Sequence, residues 1–258
     1  MRSNKLFDQT WTQVEFGHAV GVTKQEYKFG LLPRRLTGII DELKSTIIRK
    51  REKMVQSRIV NAASSTYSET DGAGNYTVTI TGGDGVSLAS SAHTREDAGT
   101  DNNNIVFDGT NYNPSASYNG LKALERTAAL VLNPKGNQMY IEPKRIFVRR
   151  GHSAKFKFME LMAPLKAGKL PETFSNDGAG VSGDYEITPL PYLTSATSWS
   201  AVDPSMINDK YGIQYKESQA IEKDPMNTVY RTGELQWKAT GMWDLNHNDF
   251  RPWFNSAA

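Results

Sequence analysis

The chain has 258 residues, 38% of them hydrophobic and 22% charged, which is enough for a real core in one large domain or two intimate ones. It has no cysteine, so disulfides and thiolate metal sites are excluded, and a net charge of +2 does not by itself argue for nucleic-acid binding. No apolar run approaches the ~18 residues of a membrane span, and MRSNKLFDQTW at the N-terminus lacks the apolar centre of a signal peptide; the expectation is a protein made and used in a cytosol.

In chain order, residues 4–32 read as extended structure with aromatic and β-branched residues but too little apolar mass to stand alone. Such a ribbon needs support from its own domain or from a neighbour. Pro33–Ala63 is the one long run with a helical period: Leu36, Ile39, Ile40, Leu43, Ile47, Ile48, Met54, Val55, Ile59 and Val60 fall along one stripe. Pro33 suits the first turn, and about 30 residues make a rod of about 45 Å. From Lys24 to Arg58 ten basic residues (Lys24, Lys28, Arg34, Arg35, Lys44, Arg49, Lys50, Arg51, Lys53, Arg58) stand against four acids (Glu26, Asp41, Glu42, Glu52), a local +6. That excess fits a solvated helix face, or a face turned to phosphate or an acidic neighbouring subunit.

Tyr67–Gly83 reads as a turn and one strand centred on Thr77–Ile80, and 84–117 as loops rich in Asn, Asp, Gly and Ser. Further helices are expected over 117–132, with Ser115 or Ser117 as cap, and over 153–166. Strands are expected over 139–148, limited by Pro143, and over 185–193, 211–215 and 228–242, with a bend at Gly233. The tail NDFRPWF is aromatic and expected to pack. Strands and helices alternate without a βαβ rhythm, which predicts an α+β fold.

Catalytic constellations are poorly supported, and no enzyme is expected. His18, His93, His152 and His247 are scattered without HExxH or His-x-His spacing. His93, beside Ser90 and Ser91, offers a weak Ser/His hydrolase reading with no G-x-S-x-G elbow. No phosphate loop occurs, and Asp97, Asp101 and Asn102–Asn104 lack the spacing and closing glutamate of a calcium loop. No cofactor or metal is expected.

At DGVSLASSAHT, Asp84, Gly85, Leu88, Ser90 and His93 match a segment of the major capsid proteins of tailed bacteriophages, the Hong-Kong-97-type family, with Ala89 in place of an aromatic and Thr94 in place of proline. The rest follows in order: a helix ending in NPKG, then Gly136, Ile141 and Pro143; the helix SAKFKFMELM; PYLTSATSWSAVDP with Tyr192, Leu193, Trp199 and Asp203; and a closing GMWDLNHNDFR with Asp249 and Arg251. The chain thus resembles that family over roughly residues 12–255.

The resemblance implies a peripheral domain with a long spine helix and a peripheral sheet, an axial domain, and an extended E-loop lying across a neighbouring subunit. Residues 1–32 would hold the N-terminal segment and a partial E-loop, 33–84 the peripheral domain with Pro33–Ala63 as its spine helix, 85–220 the axial domain, and 221–258 the return strands of the peripheral domain. The function implied is a head-shell subunit forming hexamers and pentamers around double-stranded DNA, bound without sequence specificity. Portal, scaffold, protease and decoration proteins are further candidate partners, and the implied location is the virion after assembly in a host bacterial cytoplasm. Candidate subunit contacts are Trp11, Glu15, Phe16, Tyr27 and Lys28 on the ribbon and Arg34, Arg35, Arg49, Arg51 and Arg58 on the helix. An encapsulin-like nanocompartment subunit is the alternative on the same fold.

Overall fold

The long helix is present. In a computed structural model describing residues 11, 13–29, 33–71, 74–95, 99–108, 114–166, 184–195, 197–209, 211–229 and 232–256, it spans Pro33–Val60, about 42 Å at the standard rise. In chain order the elements are β1 (Val14–Val22), α1 (Lys24–Lys28), α2 (Pro33–Val60), β2 (Thr66–Asp71), β3 (Gly74–Thr79), α3 (Tyr118–Leu130), β4 (Arg145–Arg149), α4 (Ser153–Lys166), β5 (Glu186–Leu190), β6 (Trp199–Val202), α5 (Pro204–Asn208), β7 (Ile213–Lys223), β8 (Asn227–Thr228), β9 (Leu235–His247) and β10 (Trp253–Ser256). The fold is α+β. Among the described residues no helix is long and apolar enough to cross a membrane.

The chain divides into two compact units, at 55/56, 214/215 and 245/246. The first holds 11–55 with 215–245 and is built on a sheet of order β1-β9-β7, with β8 also paired to β9. β1 runs antiparallel to β9 from Val14↔Trp243 to Val22↔Leu235. Of the two supports open to this strand, the chain uses its own sheet. Its backbone groups are satisfied by β9, and Phe16 and Val20 pack on a core of Leu43, Ile47, Ala239 and Trp243. Leu43 and Ile47, one helical turn apart, supply the α2 side of that core. Between Ala239 and Trp243 sits Gly241, where a Cβ would come within 2.9 Å of the Trp243 ring.

The second unit holds 56–214 and the residues from 246 onward. Its sheet has the order β10-β6-β4-β5, with β4 and β5 parallel. Both faces are covered. Ile146, Val148, Trp199, Ala201 and Phe254 face α3 and α4 through Leu121, Leu124, Ala154 and Phe158. Val202, Trp253 and Phe147 belong to a second cluster with Ile59, Leu88, Leu193 and Phe250. A sheet buried on both sides needs apolar residues at successive positions, and every residue of β6 and β10 is buried.

Several elements differ from the sequence reading. Residues 66–79 form a hairpin, β2 on β3, rather than one strand, because Tyr67 and Glu69 turn inward while their neighbours are exposed. The strand expected over 139–148 is confined to β4: Glu142 donates its N–H to Asp203 Oδ2 at 2.9 Å rather than to a strand, just before Pro143. β7 continues to Lys223 through mostly exposed side chains, held by its pairing in the sheet rather than by apolar alternation. The stretch expected as one strand over 228–242 is broken at Gly233 (φ +65°), so that β8 folds back on β9. Two short helices were not anticipated, α1 with a Thr23–Glu26 capping box and α5 capped by Asp203.

Candidate functional site

Of the residues that carried the family resemblance, Leu88, His93, Leu193, Trp199, Asp203, Asp249 and Arg251 are buried in the second unit, while Gly85 and Tyr192 are exposed. After β3 the chain turns at 82–86, with Gly85 at φ +75° and the Gly82 N–H donating to Val86 O at 2.8 Å. Asp84 Oδ1 accepts the Val86 N–H at 3.1 Å, and Asp84 Oδ2 accepts His93 Nδ1–H at 2.7 Å. Burial pushes the Asp84 carboxyl up, but the His93 hydrogen bond and the Val86 N–H together hold it below its usual value. The His93 ring is fully buried and stacks on Phe250, centroids 3.6 Å apart.

The same locus receives the end of β9. His247 is buried, and that burial brings its imidazole down to about 4. Gly82 is what lets it in, since a Cβ there would stand 2.7 Å from His247 Nε2 and 2.9 Å from Asp84 Oδ1. Four residues on, Arg251 Nε donates to both oxygens of Asp249 at 2.9 Å and its Nη2 also donates to Asp249, a buried chelate. Trp199, 1% exposed, donates its indole N–H to Pro114 O at 2.9 Å and meets Phe158 edge-on. Asp203 Oδ1 accepts the Ser205 and Met206 N–H groups, fixing the start of α5.

This arrangement is structural chemistry. His93 directs Nδ1–H to Asp84, its ring has no exposure for a substrate to reach, and the nearby Ser90 hydroxyl accepts the Ala92 N–H. The Ser/His pairing is therefore not formed. Asp97 lies outside the described residues, and among those described no group of three His, Cys, Asp or Glu could hold a metal ion.

The candidate contact residues are scattered in environment. Tyr27 is half exposed, Lys28 and Arg49 are exposed, and Glu15 pairs with Lys238 at 3.3 Å on the surface. Trp11 lies under Lys216 Nζ at 4.0 Å. Arg51 sits over the Tyr215 ring and donates to its hydroxyl at 3.3 Å. Phe16 is stacked on Trp243 with centroids 4.3 Å apart, so its ring belongs to the core of its own unit. Arg58 is buried within its unit: at 6% exposure its guanidinium is turned inside, donating to Thr79 O at 3.2 Å beside Tyr67, whose hydroxyl burial pushes to about 12. The side chains of Arg34 and Arg35 lie outside the described set.

No protein-family model matches the sequence, and neither does any curated protein. Solved structures do show a likeness. One is the head of Helicobacter pylori bacteriophage KHP40, at 10% identity over 96% of this chain and 75% of that one, with a TM-score of 0.49. Another is the holo-SrpI encapsulin complex of Synechococcus elongatus PCC 7942, at 12% identity over 95% and 74%, TM-score 0.48. Mycobacterium phage Che8 matches at 11% over 94% and 70%, TM-score 0.45.

Two residues of this framework escaped the sequence reading. Asn104, fully buried, donates to Leu88 O at 2.6 Å and Trp253 O at 2.9 Å while accepting the Ser90 N–H at 2.9 Å. Asn102 exchanges both amide hydrogen bonds with the Leu132 backbone, at 3.0 and 2.9 Å. In sequence both belong to an Asn run that reads as solvated loop; only their burial distinguishes them.

Proposed function

We propose that this chain is the major capsid protein of a tailed bacteriophage, a non-enzymatic subunit that assembles into an icosahedral head shell around double-stranded DNA. The observation that carries this reading is the convergence of the resembling motifs. Residues 84–93, 199–203 and 249–251 are far apart in sequence, yet each supplies buried polar or aromatic anchors to one unit. Segments that specify one framework together support a resemblance that extends along the whole chain.

On this reading 33–84 with 221–258 form the peripheral domain and 85–220 the axial domain, although 56–84 and the residues from 246 onward fall in the compact unit that holds α3, α4 and β4. Trp11, Glu15, Tyr27, Lys28, Arg34, Arg35, Arg49 and Arg51 remain the candidates for subunit contacts or for facing DNA. Negative-stain microscopy of the expressed protein, alone and with any neighbouring scaffold or protease, tests the proposal. Closed shells of phage-head size that retain DNA are expected. A small cage holding protein cargo identifies the nanocompartment role instead, and a protein that stays monomeric at every concentration and ionic strength overturns the shell role.

A further inference from the structure

Two separate surface patches of the unit formed by 56–214 have matching chemistry. One is a groove of about 280 Å³ beside α3, with Ile141 in its wall and Tyr140 at its rim, 84% exposed. Three acids line it, Glu125, Glu142 and Asp184, against one base, Lys144, a net of −2. The other patch is the outward face of α4. Ala154, Phe158 and Met162 take the inward face into the core, leaving Phe156 53% and Met159 50% exposed. Lys155 and Lys157 flank them with one acid, Glu160, a net of +1, and Lys155 Nζ stands 5.8 Å from the Phe156 ring centre. Among the described residues, none of α4 lines the groove.

We infer that α4 of one copy docks into this groove on a second copy. Phe156 enters the groove, and Lys155 and Lys157 face its acids. Two exposed aromatic patches of opposite charge on one chain are complementary to each other and not to themselves, which favours a second copy as occupant. The two patches differ, so a contact that is not reciprocated is head-to-tail, and it builds a ring where its rotation closes. This rests on the shell-subunit reading and names the partner surfaces within it.

The test compares wild type with two charge-reversed chains. One carries Lys155→Glu with Lys157→Glu, the other Glu142→Lys with Asp184→Lys, and hexamer formation is followed by analytical ultracentrifugation with folding checked by circular dichroism. Each variant alone is expected to need about tenfold more protein to form hexamers. An equimolar mixture should return to within about threefold of wild type, because every groove again meets a helix of opposite charge around an alternating six-membered ring. Phe156→Ser, which changes no charge, should weaken assembly while the unit stays folded, and it decides the matter should a reversed chain fail to fold. Folded variants that assemble like wild type overturn this contact and leave the shell reading standing. A wild type that never leaves the monomer overturns both.

Discussion

His247 shows how one buried side chain ties stability to pH. Its ordinary value is 6.5, and in the folded chain burial brings it to about 4, with Arg58 and His93 lowering it further and Asp84 and Asp249 pulling the other way. The folded state therefore binds fewer protons than the unfolded state between those values. The stability held by neutral His247 is complete above pH 6.5 and is lost as pH falls toward 4, about 3 kcal/mol in all. Asp84 acts in the same direction lower down: held below its ordinary 3.8, it contributes above that value and loses the contribution as pH falls through its folded one. Urea unfolding at pH 7 and 4.5 should show the loss, and His247→Gln should flatten the dependence between them; an unchanged slope in the variant would remove His247 as its source. The Asp249–Arg251 chelate permits a second test. Arg251→Met leaves a carboxylate with 1% side-chain exposure unpaired and should cost about 3–5 kcal/mol. The double variant Asp249→Leu with Arg251→Met should recover most of that in the same denaturation experiment.

Among the elements, α2 was the most legible, because its apolar period over 28 residues needs no partner to be recognised. The helices α3 and α4 were legible for the same reason. β7 was not, since its side chains are mostly exposed and its register is set by the strand beside it. The same contrast can be measured within α2. Leu43, 1% exposed against Ala239 and Trp243, should lose about 2–5 kcal/mol on change to Ala. Lys44, exposed on the next position, should change stability by less than about 0.5 kcal/mol. Denaturation followed by circular dichroism reports both. Equal losses at the two positions would contradict the assigned helix face.

For the whole molecule, charge distribution matters more than the net +2. The local excess of +6 between Lys24 and Arg58 drops to +5 once Arg58 is discounted as an inward residue, and Arg49 and Lys53 stand exposed on α2. If this face lines the shell, DNA retained by assembled particles should fall with added salt. Arg49→Glu with Lys53→Glu should lower the logarithmic salt slope by about two, near one per lost phosphate contact, at equal shell yield. An unchanged slope would move the basic face to a subunit boundary.

The sequence by itself determined the three long helices, the α+β class, the absence of thiol chemistry and the order of the motifs, because each depends on local period or residue type. Tertiary structure alone decided what those residues do. Asp84 read only as part of the resembling segment, and His93 also as a weak partner for Ser90 or Ser91, until burial joined the two under Phe250. Arg58 read as a surface cation until its helix position turned it toward Thr79. Asn104 carried no signal at all, because a polar side chain announces its partners only after the backbone groups it must satisfy have been buried.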